Sequence, residues 1–246
     1  MVSLRTKIIG KAESFPGIKA GIARLEDILK APSYRVVPDG EWSTSLSNEG
    51  TMTEWPSDAT SVLVLGLYHP ENNPRLDWWE DGNTMGNRRL MEITDSLKQW
   101  LKKEHGLSAL PLPYHVEWGG LFLKDAAVLA GLGIVGRNNL LLNPEWGPRI
   151  RFRSILIQGY LEPTQPVEGF SPCDSCGEIC HSACPQNVFS TGVYYRPDCI
   201  AQLNADIANK MPDGEVGQDG IPRLVIKYCR ACEFACPVGA EATKLK

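Results

Sequence analysis

The chain has 246 residues, 43% of them hydrophobic, and a formal net charge of −4. That length suits one large domain or one medium domain with a small appendage. The apolar content suffices for a packed core. The negative balance excludes a global basic field for nucleic acid, though not a local basic patch. The first residues lack the apolar run of a signal peptide, and the longest apolar runs, such as 61–68, are too short to cross a bilayer. A soluble, cytoplasmic protein with no membrane partner is expected.

In chain order, "GIKAGIARLEDILK" carries Ile18, Ile22, Leu25, Ile28 and Leu29 at helical spacing and predicts a helix. "SVLVLGLY" (61–68) predicts a short buried strand. Residues 70–87, rich in Asn, Asp, Pro and Trp, predict a long loop. "GNRRLMEITDSLKQWLKKEHG" places Leu90, Ile93, Leu97 and Leu101 on one face and ends in basic residues and Gly106, a helix with its stop signal. "LFLKDAAVLA" reads as helix and "RFRSILIQGY" (151–160) as strand. "LEPTQPVEGFSP" reads as the link into a cysteine-rich tail. The expected organisation is a mixed α/β domain over 1–165 and a small cysteine domain over 166–246.

Between those elements, "AGLGIVGRNNLLL" spells G-x-G-x-x-G at Gly131, Gly133 and Gly136. A dinucleotide fingerprint needs a strand before it, a helix after it and an acid some 20 residues on. Here a helix precedes it and the acid is missing, which disfavours that reading. A plain turn between helix and strand is one alternative. A glycine loop pressed against a large flat cofactor, with Arg137 and Asn138 as polar contacts, is the other.

All eight cysteines fall between Cys173 and Cys236. A cysteine-free domain before a cysteine-dense tail, without an export signal, favours metal ligation over disulfides. The first set is Cys173-x2-Cys176-x3-Cys180-x3-Cys184-Pro185, the second Cys229-x2-Cys232-x3-Cys236-Pro237, with Cys199 between them. In two-cluster ferredoxins the cysteine before such a proline ligates the other cluster. The rule proposes Cys173, Cys176, Cys180 and Cys236 for one [4Fe–4S] cluster and Cys184, Cys199, Cys229 and Cys232 for the second. Zinc is the competing reading, with His181 able to replace a thiolate, but it leaves the Cys-Pro endings unexplained. The middle spacing of x3 departs from the usual x2 and implies either a bulged loop or a displaced Cys180.

The glycine segment followed by this double tail, with "RPDCIAQLNADIANKMP" around the lone cysteine, resembles the epoxyqueuosine reductase family. The resemblance spans about 61–246 and, more loosely, the first 60 residues. It implies a cobalamin cofactor in a nitroreductase-like α/β domain, followed by a ferredoxin-like domain whose two clusters reduce it. Reductive dehalogenases share that architecture. Gly131, Gly133, Gly136, Arg137 and Asn138 match the family's glycine loop near the corrin, with Arg in place of the usual Lys. The family's catalytic aspartate aligns with Glu117 in "PYHVEWGG"; His115 is the rival acid, and Tyr114 and Trp118 are candidate pocket walls. The chain ends ten residues after Cys236, so the helical-repeat segment with which the family holds tRNA is not expected, and a tRNA partner is left in doubt.

The resemblance thus implies an iron–sulfur oxidoreductase, fed by a low-potential donor such as ferredoxin or flavodoxin, in which cobalamin reduces a small substrate. Two alternatives stand beside it. One is an electron-transfer or reductive-activation protein for a corrinoid partner, without its own cobalamin. The other places FMN in the same pocket.

Overall fold

The computed structural model describes residues 2–36, 52–217 and 219–241. Helix α1 (Leu4–Glu13) starts at Ser3, whose side chain accepts from the Thr6 N–H, and leads into strand β1 (Ile18–Arg24). Helices α2 (Leu25–Leu29) and α3 (Pro32–Val36) follow, then β2 (Ala59–Tyr68). A 3-10 turn over Pro74–Asp77 and the small pair β3 (Trp79–Glu80) and β4 (Asn83–Thr84) precede the long helix α4 (Met85–His105). Strand β5 (Ala109–Pro111), helix α5 (Leu123–Leu129), the short β6 (Ile134–Val135) and β7 (Leu141–Leu142), and strand β8 (Ile150–Gln158) come next. The cysteine-bearing part adds α6 (Ile179–Ser182), α7 (Arg196–Ala208), β9 (Met211–Val216), β10 (Pro222–Val225) and α8 (Ala231–Phe234). No helix among the described residues is long and apolar enough to cross a membrane.

The chain divides into two compact units. The first comprises residues 1–68, 90–134 and 151–169 and is built on a four-stranded sheet in the order β1-β2-β8-β5. Strands β1 and β2 run antiparallel, with Ile18 opposite Leu67 and Ile22 opposite Leu63. Leu63, Leu65 and Leu67 of β2 join Ile8 of α1, and Leu90, Ile93, Leu97 and Leu101 of α4, in one core. The opposite face carries Val62 and Val64, also fully buried, and is covered by α2 and α5. Burial on both faces explains why the strand reads as an unbroken apolar run.

Two expectations are corrected. Residues 18–29 are not one helix: Ile18–Arg24 is a strand, and only Leu25–Leu29 is helical. The strand is buried on both faces, so its apolar residues do not alternate, and a run of this kind also satisfies a helical spacing. Residues 70–87 are not a plain loop, since they hold the 3-10 turn, the β3–β4 pair and the start of α4.

The second unit comprises residues 69–89, 135–150 and 170–246. Strands β9 and β10 form an antiparallel hairpin, and an isolated bridge joins Trp79 to Ile226. The aromatic stretch around Trp78 and Trp79 packs within this unit. The Lys227 ammonium lies 4.1 Å from the Trp78 ring, and Trp79 meets Tyr228 edge-on.

Candidate metal centre

Cys173 lies in the 3-10 turn Pro172–Asp174, and Cys180 on the short helix α6. Between Cys176 and Cys180 the backbone takes left-handed values at two successive residues, Gly177 (φ 66°) and Glu178 (φ 56°). This tight reversal absorbs the extra residue of the x3 spacing. The loop bulges here, and Cys180 lines one cavity, partly open to solvent, with Cys173, Cys176 and Cys236. Asn138, Leu142, Ile179 and Val238 complete much of the wall. All eight cysteines are free thiols.

The thiols of the metal-free chain sense one another in two groups. Burial, followed by the charges of Cys236, Cys176 and Cys173, pushes the Cys180 thiol up. Cys232 is pushed up to about 12, first by burial and then by Cys229, Glu233, Cys184 and Cys199. Burial also raises Cys229, with Asp206, Cys184 and Cys199 adding to it. The groups formed in this way are Cys173, Cys176, Cys180 and Cys236 on one side, and Cys184, Cys199, Cys229 and Cys232 on the other.

The donor chemistry therefore suits a metal–sulfur group. Tetrahedral zinc draws four ligands to about 2.3 Å from one point. Among the described residues, no three His, Cys, Asp or Glu side chains form a group that could hold a single ion. Sets of four thiols are the donor set that [4Fe–4S] clusters take. His181 is not placed as a ligand. Its ring stacks on Phe189 at 4.2 Å, Nδ1 lies 3.2 Å from Glu178 Oε2, and Nε2 lies 3.3 Å from the Arg137 carbonyl oxygen.

Several supporting residues escaped the sequence reading. The Arg149 side chain is 1% exposed; its Nη1 donates to the Val238 carbonyl at 3.0 Å and its Nε to Glu71 Oε1 at 2.9 Å. Next to it, Gly147 and Gly239 (φ +59° and +71°) let two chain segments meet. A Cβ on Gly147 would lie 1.9 Å from the Val238 carbonyl oxygen. Beside the second group, Arg230 Nη1 reaches Asp77 Oδ2 at 2.5 Å while its Nη2 and Nε pair with the buried Glu233; Asp77 in turn contacts buried His69 Nδ1 at 2.9 Å. Nothing in the local sequence signals these partners, because each lies 60 or more residues from some of the groups it meets.

The glycine loop has partners in its own chain. Gly131 (φ 73°) ends α5: its N–H donates to Val128 O and that of Leu132 to Ala127 O, the paired bonds of a Schellman turn. A Cβ there would stand 2.4 Å from the Gln165 carbonyl oxygen. Gly133 is buried in the same unit, with φ 157°. In the other unit, a Cβ on Gly136 would meet Leu142 at 2.6 Å. Arg137 Nη1 pairs with Glu178 at 2.7 Å and its Nη2 approaches Asp174 at 3.5 Å, both in the first cysteine loop. Asn138 is buried and donates to the Cys232 carbonyl at 3.4 Å.

His115 and Glu117 flank Val116 in a short 3-10 turn (Val116–Trp118) closed by left-handed Gly119. His115 Nδ1 lies 3.9 Å from Glu117 Oε1, and the His115 ring meets Trp118 edge-on at 4.7 Å. Burial holds the His115 imidazole below its ordinary value, and the Glu117 carboxylate partly offsets this. Glu117 Oε1 is buried and takes no hydrogen bond from the described residues. Tyr114 is 52% exposed and does not line the cysteine cavity.

No family model matches the chain. Among curated relatives, the epoxyqueuosine reductase of Staphylococcus aureus (strain NCTC 8325 / PS 47) is 30% identical over 166 residues, 66% of this chain and 40% of that protein. The epoxyqueuosine reductase of Lactococcus garvieae (strain Lg2) is 25% identical over 195 residues, 73% of this chain and 52% of that protein. The chain thus spans about half or less of these relatives. A crystal structure of epoxyqueuosine reductase with an epoxyqueuosine-modified tRNA-Tyr stem loop superposes with a TM-score of 0.66 at 21% identity, covering 96% of this chain and 65% of that one. A reductive dehalogenase, described as suggesting a mechanism for B12-dependent dehalogenation, superposes at 0.51 and 19% identity over 74% of this chain and 25% of its own. The family resemblance read in the sequence holds: the chain is related to the epoxyqueuosine reductases and shares its mixed helix-and-sheet fold with them.

Proposed function

We propose that the chain is an iron–sulfur oxidoreductase carrying two [4Fe–4S] clusters. Cys173, Cys176, Cys180 and Cys236 hold one, and Cys184, Cys199, Cys229 and Cys232 hold the other. The observation that carries this reading is the convergence of Cys236 on the cavity of the first motif, about sixty residues away in sequence. The architecture is then a nitroreductase-like domain followed by a ferredoxin-like one, with electrons supplied by a low-potential donor. By likeness to the B12-dependent dehalogenase, the acceptor is a cobalamin, which when bound supplies a low-valent cobalt reductant. Gly131, Gly133, Gly136, Arg137 and Asn138 are the residues that match the family's glycine loop near the corrin. Glu117 or His115 supplies the proton to the substrate. The relative solved with a modified tRNA stem loop makes such a stem loop the first substrate to assay.

A second reading has a specific observation in its favour. Gly131 and Gly136 pack against their own chain, and Arg137 and Asn138 are engaged by the cysteine loops. This suits an electron-transfer protein that reduces a separate corrinoid protein.

One anaerobic experiment separates the two. The reconstituted chain should bind about eight irons, as two four-iron clusters require, and is then titrated with hydroxocobalamin. A saturable change in the corrin bands supports the reductase with its own cofactor. Unchanged bands over intact clusters support the electron-transfer reading. A chain that binds no iron rules out both.

A further inference from the structure

Among the described residues of the cysteine-bearing unit, Arg149 is the most buried charged side chain, at 1% exposure. Its guanidinium faces the segment that carries Cys236. Nη1 donates to the Val238 carbonyl at 3.0 Å, and Nη1 and Nη2 each lie 3.4 Å from the Cys236 carbonyl. Nη2 also reaches the Phe234 carbonyl at 3.3 Å. These carbonyls lie at and beyond the end of α8 and have no helical partner of their own, so a planar fork with five donors is suited to gather them. Lysine, a point charge, could not span all three. The counter-charge is unequally placed: Glu71 Oε1 accepts from Nε at 2.9 Å, but the Glu71 side chain is 42% exposed. Water screens the carboxylate, whereas the cation faces the buried Cys236 through low-dielectric protein.

We infer that buried Arg149, clasping the Cys236 segment and paired with half-exposed Glu71, positions the crossing ligand and sets the reduction potential of the cluster held by Cys173, Cys176, Cys180 and Cys236. This rests on the cluster assignment proposed above. A cluster gains negative charge when reduced, and its potential follows local charge and hydrogen bonding. The unscreened cation makes this cluster easier to reduce than it would be without Arg149. Among the described residues, no such guanidinium clasps Cys184, the crossing ligand of the cluster beside Cys229.

The test is an EPR-monitored redox titration of the anaerobically reconstituted full chain, comparing wild type with Arg149→Met, Arg149→Lys and Glu71→Gln. Arg149→Met should lower the midpoint of one cluster only. Glu71→Gln keeps an acceptor oxygen but removes the compensating charge, and should raise the same midpoint. Arg149→Lys should leave the midpoint near wild type while slowing cluster loading. A purely structural role would change loading and the thermal midpoint of the apoprotein but would not give shifts of opposite sign. If Arg149→Met fails to load, the Glu71→Gln shift decides alone. Loaded variants with unmoved midpoints overturn the tuning and leave the cluster assignment intact. A wild-type chain that takes up no iron overturns both.

Discussion

His115 and Glu117 show how one contact can be tested by pH. Burial lowers the affinity of His115 for a proton in the folded chain, and Glu117 at 3.9 Å restores part of it. The unfolded chain protonates this histidine near its ordinary value of about 6.5. Between that value and the depressed folded one, the unfolded state binds more protons, so stability is full above the window and falls as pH drops through it. His115→Gln should therefore flatten the loss of stability between pH 7 and pH 5. Glu117→Gln should steepen it, because the charge that assisted protonation is gone. Urea melts across that range check both. Equal slopes in the three proteins would show that His115 is no more buried in solution than a surface imidazole.

At the scale of the element, strand β1 is the place to test the corrected assignment. A helix over 18–29 would leave Gly21 on a turn with room for a methyl group. In the strand, a Cβ at Gly21 would lie 1.8 Å from the Ala130 carbonyl oxygen at the end of α5. Gly21→Ala should cost about 1–3 kcal/mol, the range for overpacking a core, and lower the thermal midpoint by several degrees. An unchanged midpoint would mean that α5 does not press on this strand. The elements legible in the sequence were those with one clear period or one clear stop: β2, α4 with its Gly106, α5 and β8. The boundary inside 18–29 was hidden because a doubly buried strand abuts a five-residue helix. The candidate site divides in the same way. Cys-Pro spacing alone proposes which thiols share a cluster, since the loop rule is local apart from its crossing ligand. Arg149, Glu71, Gly147 and Gly239 were not legible, because each matters only through a segment that folding brings to it.

On the scale of the whole molecule, the proposed crossing of ligands would make the two cysteine motifs interdependent, and iron content tests it. Cys236 lines the cavity of the first motif, and Cys199 is coupled electrostatically to Cys232, Cys229 and Tyr194. Under that arrangement Cys236→Ala and Cys199→Ala each remove a ligand from a different cluster. Each variant should retain roughly half of the wild-type iron, about four atoms, and the double variant almost none. A sequential arrangement makes a different forecast. If Cys173, Cys176, Cys180 and Cys184 held one cluster and Cys199, Cys229, Cys232 and Cys236 the other, both substitutions would strike the same site. The double variant would then keep about four irons, no fewer than either single one. Far-ultraviolet circular dichroism of the apoproteins guards against unfolding as the cause of iron loss. The double variant is decisive because the two arrangements agree on the iron content of both single variants and part only there.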